Sequence, residues 1–447
     1  MMGRPLTTKY FGTDGIRGKA NEFLSAELVL KLGRAAAFLA GEHGGGRMLI
    51  GMDTRLSGPL LESALAAGLL AAGVDVYSLG IIPTPGVAAL CRVYEAPGAV
   101  ISASHNPYED NGIKFFTAQG NKLCDEDQER IEKFLNNPMP PLAETAPGRL
   151  YRVEDAAQQY AEIILAAQKP DLSALKLAID CAHGAASPIA PQLLRSLGAE
   201  VVAIGAAPDG RNINAACGST APKLLCQTVL EEKAQIGMAL DGDADRLIAV
   251  DETGNIVDGD VLLVIMARYL QSKGQLPHNT IVVTQMCNMA LRQKLTQLGI
   301  TIVEARVGDR YVLEKMQKSG ALLGGEQSGH IILSCFNSTG DALAAAIFLL
   351  TILAEQGCSL ASLTADLRLF AQVHINVAVK TKKGFEKDRK ISAAIIAAQK
   401  ELAGQGRVIV RASGTEPLFR VMTEGPDEEV LQRLADDIAK AIRAGLG

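Results

Sequence analysis

The sequence predicts an α/β protein: three related α/β domains with βαβ cores plus a smaller C-terminal α+β domain. Three observations carry this. At 447 residues the chain exceeds what one hydrophobic core supports. A strand–helix–strand pattern closed by glycine recurs three times, widely spaced. After Gln372 the pattern changes to strand, helix, strand, helix.

In the first copy, Met48 to Asp53 reads as a strand running into a polar loop. Leu60 to Ala72 is a helix rich in Ala and Leu, Gly73 its stop and Val74 to Leu79 the second strand. The second copy has strand Leu175 to Asp180, loop Cys181–Gly184, a helix to Leu197, Gly198 and strand Val201 to Ile204. In the third, strand Ile281 to Thr284 leads into a helix ending at Leu298, then Gly299 and strand Thr301 to Glu304. The Pro-rich Asn137–Pro141 segment, the turn at Glu252–Asn255 and the change near Gln372 divide the chain into 1–150, 151–254, 255–371 and 372–447.

Hydrophobic residues at 48% and charged residues at 21% fit an ordered globular chain. A net charge of −5 gives no reason to expect nucleic acid or an anionic membrane as partner, though local basic patches for a small phosphorylated molecule remain compatible with it. Met1–Tyr10 lacks an apolar signal core. The longest nearly apolar run, Ala342 to Ala354, is too short to span a bilayer and is interrupted by Thr351, so it reads as a buried helix. The eight cysteines are scattered with no C-x-x-C pair, which favours free thiols in a reducing cytoplasm. No feature specifies an oligomeric state.

Four loops carry chemistry. Ser102-Ala103-Ser104-His105-Asn106-Pro107 follows the apolar run Gly98–Ile101, and ligands of α/β sheets bind at the C-terminal ends of strands. Pro107 restricts Asn106 to extended geometry. This loop is either a serine nucleophile or phosphate carrier with a neighbouring His, or an ordinary polar strand-to-helix turn. Asp241-Gly242-Asp243-Ala244-Asp245-Arg246 lies between apolar runs Ile236–Leu240 and Leu247–Val250. Alternate carboxylates fall on one side of an extended segment and repel one another unless a hard cation joins them. An EF-hand is rejected, because Arg246 stands where its loop needs Gly and both flanks read as strand; a solvated acidic turn is the remaining alternative.

Gly324–His330 is a glycine-rich loop whose Glu326 and Ser328 suit sugar hydroxyls and whose His330 suits acid or base work; it also reads as a plain turn. Arg411-Ala412-Ser413-Gly414-Thr415-Glu416-Pro417, with Arg420 beyond, has the composition of a phosphate cradle or of a polar hairpin turn. Gly12–Gly18 lacks the G-x-x-x-x-G-K-[ST] arrangement of a nucleotide loop.

Taken in order, Phe11–Gly18, Ser102–Pro107, Asp241–Arg246, Glu326–His330 and Arg411–Pro417 closely resemble the α-D-phosphohexomutase superfamily across essentially the whole chain. Tyr10–Gly18, Asn111–Phe116, Val307–Val312 and Gly325–His330 look most like its glucosamine-phosphate branch. The resemblance implies four domains and a hexosamine phosphate substrate moved between its 6- and 1-phosphates. It also implies a phosphoserine at Ser104 and one Mg²⁺ per chain, held by the Ser104 phosphate with Asp241, Asp243 and Asp245. Arg17 and Lys114 would stabilise the transferring phosphoryl, with His330 as acid/base partner. Glu326 and Ser328 would read sugar hydroxyls, while Arg411, Ser413, Gly414, Thr415 and Arg420 would clamp the distal phosphate. Rival readings are a glucose- or mannose-phosphate mutase, a metal-dependent sugar phosphatase and a catalytically silent sugar-phosphate binder. Two residues depart from the family pattern. Ala244 replaces the usual Gly, so the loop must avoid positive φ there or accept strain. His183 replaces the usual Asn, away from the matched motifs.

Overall fold

The computed structural model describes residues 10–12, 14–43, 45–137, 146–413 and 417–447. The first region runs β1 (Ile16–Lys19), α1 (Ala26–His43), β2 (Arg47–Met52), α2 (Gly58–Ala71), β3 (Asp75–Ile81), α3 (Thr84–Tyr94), β4 (Gly98–Ile101), β5 (Asp110–Phe116), α4 (Asp125–Asn136) and β6 (Leu150–Arg152). Its sheet order is β1-β5-β4-β2-β3-β6. Strands β4, β2 and β3 are parallel, and β5 turns back antiparallel on β4.

The second region runs α5 (Ala156–Ala167), β7 (Lys176–Asp180), α6 (Ala190–Ser196), β8 (Glu200–Ile204), α7 (Lys223–Glu232), β9 (Ile236–Leu240), β10 (Leu247–Asp251) and β11 (Ile256–Val257). The third runs α8 (Gly259–Ser272), β12 (Thr280–Thr284), α9 (Met289–Gln297), β13 (Thr301–Ala305), α10 (Asp309–Ser319), β14 (Leu323–Gly325), β15 (Ile331–Leu333), α11 (Ala342–Gln356) and α12 (Leu360–Thr364). Their sheets are β11-β10-β9-β7-β8 and β13-β12-β14-β15.

One plan is used three times. The series β5-β4-β2-β3, β10-β9-β7-β8 and β15-β14-β12-β13 have the same strand order. Each has three parallel strands followed by a hairpin that adds an antiparallel fourth. The βαβ copies read from sequence are the first three elements of each plan. The hairpins hold 102–109, 241–246 and 326–330, so the serine loop joins strand to strand and not strand to helix.

Helix α1 lies against α2, and glycines set how closely. A Cβ on Gly33 would come within 2.3 Å of the Leu65 carbonyl oxygen, and one on Gly68 within 2.2 Å of that of Leu30. The interface fills with Val29, Leu32, Leu61, Leu65 and Leu69, all fully buried. Helix α11 is the buried apolar helix anticipated at 342–354. No described helix is long and apolar enough to cross a membrane. All eight cysteines are free thiols.

A separate compact body comprises 287–299 and 365–447. It carries β16 (Ala371–Ala378), α13 (Arg389–Glu401), β17 (Arg407–Ala412), β18 (Leu418–Gly425) and α14 (Glu428–Leu446) in an antiparallel sheet ordered β16-β18-β17. The sequence pattern there anticipates one strand fewer: the described residues pair β17 with β18, the two strands on either side of the Arg411–Pro417 segment. Asp388 and Asp427 cap the two long helices by accepting backbone N–H bonds. Within this body 287–299 is tied in by Arg407 Nη2 donating to the Cys287 carbonyl (2.7 Å) and Met289 N donating to Glu424 (2.7 Å).

Gly68→Ala forces α1 and α2 apart. The expected cost is about 1–3 kcal/mol of unfolding free energy, read by denaturant titration; an unchanged midpoint would rule out the close crossing.

Candidate active site

The Asp241–Arg246 hairpin is a tight turn, not the extended segment anticipated. Ala244 N donates to the Asp241 carbonyl (3.0 Å), and Ala244 takes φ 56°. Curling, and not strand alternation, therefore brings the carboxylates together. One oxygen from each of Asp241, Asp243 and Asp245 lies within 4.8 Å of the others. The three residues are 1%, 0% and 4% exposed, which removes the solvated-turn reading. Strands on both sides remove the EF-hand. Among the described residues, Asp243 Oδ1 and Asp245 Oδ1 are buried without a hydrogen-bond partner. Two orphaned anionic oxygens in a carboxylate cluster fit a divalent cation with oxygen ligands. Burial, and then the charges of Asp245 and Asp243, hold the Asp241 carboxyl well above its ordinary range.

Ser104 faces this cluster. Its Oγ donates to Asp241 Oδ2 at 2.6 Å and lies 3.3 Å from His105 Nδ1. Burial, then the cations of Arg246 and Arg17, push His105 down to about 4, so its ring is neutral at physiological pH. Ser104 holds φ 54°, a costly conformation for a side chain with a Cβ. Two side chains grip its backbone. Arg55 Nη2 donates to the Ser104 carbonyl (2.9 Å) and the Asn106 carbonyl (2.8 Å), and Nη1 to those of Asp110 (2.9 Å) and Pro107. Asn214 Nδ2 donates to the Ser104 (2.9 Å) and Asn106 (3.0 Å) carbonyls from the second region. Arg55 is itself fixed by Asp53 (2.9 Å), which also accepts from Ser102 Oγ (2.5 Å).

Lys114 projects from β5 into the other side of the cluster. Its Nζ donates to Asp243 Oδ2 (2.8 Å) and lies 3.1 Å from Asp14 and 3.8 Å from Asp245. Burial alone would lower its pKa, but Asp14, Asp243 and Asp245 outweigh burial and raise it. Thr84 Oγ1 donates to the same Asp243 oxygen (2.6 Å). Pairing of β1 with β5 sets Arg17 opposite Gly112, and Arg17 forms an ion pair with Asp14. Arg17 and Lys114 thus reach one acidic cluster by neighbouring strands.

His330 is 3% exposed and both its ring nitrogens are engaged. Nδ1 lies 3.5 Å from Asp245 Oδ2, while Nε2 accepts the Gly340 N–H at 3.0 Å, which assigns the ring hydrogen to Nδ1. The ring lies against Asp245, on the edge of the carboxylate cluster. Glu326 accepts the Gly308 N–H (2.9 Å), and Ser328 Oγ is buried without a hydrogen-bond partner among the described residues. In the C-terminal body Arg411 and Arg420 face each other across β17 and β18, both exposed, a pairing that suits an anion. Ser413 N donates to the Leu418 carbonyl (2.9 Å). Gly414 and Thr415 lie outside the described residues. The loop of His183 is not remote from the site: Ala185 N donates to the Gly242 carbonyl (2.8 Å), and the His183 carbonyl accepts from Thr54 (2.6 Å).

Asp14, Asp53, Arg55, Thr84, Lys122, Asn214 and Asp309 are site-shaping residues that sequence reasoning passed over. Asp53-Thr54-Arg55 had a usable signal, since it ends a parallel strand as Ser102–Pro107 does. Asn214 had none, because its partners are main-chain carbonyls more than a hundred residues away.

Four family models match in series: the phosphoglucomutase/phosphomannomutase α/β/α domains I (8–140), II (154–254) and III (258–370) and the C-terminal domain (375–441). The chain belongs to the phosphoglucomutase/phosphomannomutase family. It is 50% identical over 439 residues to the phosphoglucosamine mutase of Desulforamulus reducens, covering 97% of this chain and 99% of that one. It is likewise 50% identical over 445 residues to that of Symbiobacterium thermophilum, covering 98% and 99%. Among solved structures, a phosphoglucomutase/phosphomannomutase family protein of Burkholderia thailandensis superposes with TM-score 0.81 at 27% identity, over 97% of this chain and 98% of that one. The N-acetylphosphoglucosamine mutase of Aspergillus fumigatus, solved with GlcNAc-6P and magnesium, shares the fold at TM-score 0.70 and 19% identity, covering 99% and 97%.

Ala244→Gly relieves a positive φ while adding backbone freedom to the unfolded chain. The expected net effect is a gain of up to about 1 kcal/mol in stability with unchanged cation affinity, read by thermal unfolding and calorimetry; a loss of stability would contradict the strained geometry.

Proposed function

We infer that this chain interconverts glucosamine 6-phosphate and glucosamine 1-phosphate, the reaction of a phosphoglucosamine mutase, with Ser104 as phosphate carrier. The observation that carries this reading is the Ser104 hydroxyl 2.6 Å from Asp241, inside a buried carboxylate cluster flanked by Lys114. The full-length identity to phosphoglucosamine mutases supports the substrate.

In the forward direction the bond between phosphorus and Ser104 Oγ breaks as phosphorus bonds to the free hydroxyl oxygen of the substrate. The hydroxyl proton leaves that oxygen, and Ser104 regains one in the balance of the step. The product is a bisphosphate, which turns and returns its other phosphate to Ser104. Lys114 and Arg17 hold positive charge beside the transferring group. Glu326 and Ser328 take sugar hydroxyls, and His330, beside Asp245, is the acid/base partner. Arg411, Ser413, Gly414, Thr415 and Arg420 take the phosphate that is not being transferred. We assign one Mg²⁺ to Asp241, Asp243, Asp245 and a Ser104 phosphate oxygen; when bound it neutralises charge on the phosphoryl group. We place the domain divisions near 150/151, 254/255 and 371/372, each within a few residues, with β6 and β11 kept in the sheets they complete and β16 in the last. A cytoplasmic enzyme supplying UDP-N-acetylglucosamine, and through it the cell wall, is the setting this reading implies.

Comparison of kcat/KM on glucosamine, glucose and mannose 6-phosphates tests the substrate; preference for an unaminated hexose reassigns the chain to a phosphoglucomutase or phosphomannomutase. Free phosphate released faster than isomerisation would make it a phosphatase. Ser104→Ala is expected to lower kcat by at least about a thousandfold, and full retained activity would sink the carrier role.

The raised Asp241 carboxyl predicts proton-linked cation binding. A raised Asp241 carboxyl makes a proton compete with the cation for the same oxygens, so affinity rises with pH, by up to about tenfold per unit below the Asp241 pKa. Calorimetric Mg²⁺ titration in buffers of different ionisation enthalpy reads the released proton, and Asp241→Asn removes it. Equal affinity at acidic and neutral pH would refute this linkage.

A further inference from the structure

The start of α10 touches the first region through two ion pairs of opposite polarity. Asp309 pairs with Lys122, and the next residue, Arg310, pairs with Asp125 at the start of α4. The Lys122–Asp309 pair is nearly enclosed, its side chains 11% and 14% exposed, whereas Arg310–Asp125 is open at 28% and 47%. Each end of the enclosed pair continues into the site. Lys122 also pairs with Asp14, whose other oxygen lies 3.1 Å from Lys114 Nζ. Asp309 Oδ2 lies 3.6 Å from His330 Nε2, on the ring that faces Asp245. Beside Asp309, Gly308 N donates to Glu326 Oε1 (2.9 Å).

We propose that the Lys122–Asp309 ion pair is a positioning latch that sets the Glu326 loop in register with Ser104 and the carboxylate cluster. The proposal rests on the mutase reading for its substrate. Alternating charge along the contact admits one register, since a slip brings like charges together. The outer pair contributes little because water screens it. Removing Lys122 leaves the nearly buried Asp309 carboxylate without its cation, while removing the Asp309 charge leaves Lys122 held by Asp14 alone and frees the Glu326 side of the contact.

The test measures kcat and KM for glucosamine 6-phosphate on the full-length wild type, Asp309→Asn, Lys122→Met, Lys122→Arg and the Asp309→Asn/Lys122→Met double variant, with each thermal midpoint. Misplacement of the Glu326 loop raises KM about tenfold or more in Asp309→Asn and Lys122→Met, with a smaller fall in kcat. Lys122→Arg retains the charge and stays within about threefold of wild type, and the double variant is no worse than the poorer single one. Wild-type KM in Asp309→Asn, or single losses that multiply in the double variant, overturns the latch. Where Lys122→Met does not fold, Lys122→Gln carries the same comparison. The Kd of the sugar phosphate, measured by calorimetry on the same set, decides the latch independently of turnover. A wild type that binds without isomerising therefore sinks the mutase reading alone.

Discussion

Three carboxylates with oxygens within 4.8 Å of one another, all but sealed from solvent, are a standing electrostatic cost. The surrounding residues are arranged to meet that cost. Lys114 enters from β5, Arg246 closes the turn beside Asp245, and His330 faces Asp245 from the opposite hairpin. The compensation is incomplete: Asp241 is still driven toward its protonated form, and two carboxylate oxygens lack hydrogen-bond donors among the described residues. A protein that simply needed a folded hairpin would replace these aspartates with apolar residues at little cost. Keeping them buried makes sense when a cation completes the set.

Convergence of so many groups follows from repeating one topology. In each of three sheets the third parallel strand ends in a hairpin to an antiparallel fourth, and the hairpin carries the polar residues. The serine, the carboxylates and the Glu326 loop thus occupy equivalent places in three copies of one plan. Contacts between copies then tie the loops together: Thr84 N donates to the Asp243 carbonyl, Leu247 N to that of Gly329, and Ala342 N to that of Ala244. Main-chain bonds of this kind constrain loop position without depending on side-chain identity.

The strands and helices of the three repeats were legible because apolar runs, Gly stops and helix lengths are local signals. The strand order was not, since it depends on which runs pair. Asp241, Asp243 and Asp245 stood out by spacing, yet the physical reason inferred for them was wrong: a positive φ at Ala244 turns the chain where alternation along a strand was expected. His330 stood out by type, and only its partners at Asp245 and Gly340 show that the ring is occupied. Arg55 and Asn214 were invisible as site residues because they grip carbonyls, which every residue has. Sequence text marks side chains that do chemistry more readily than side chains that hold main chain in place.

That second kind of residue explains the geometry of Ser104. A serine at φ 54° is held against a cost of about 1–3 kcal/mol. Relaxed to an extended conformation, it would swing its hydroxyl away from Asp241. Ser104 and Asn106 each offer their carbonyl to both Arg55 and Asn214. Arg55 is locked in turn by Asp53, and Asn214 itself sits at φ 58°. Two clamps from different regions therefore over-determine one backbone conformation. An over-determined serine keeps its oxygen in place beside the carboxylates. On the reading of Ser104 as phosphate carrier, reorientation between two half-reactions would fall to the substrate and the elements that hold it.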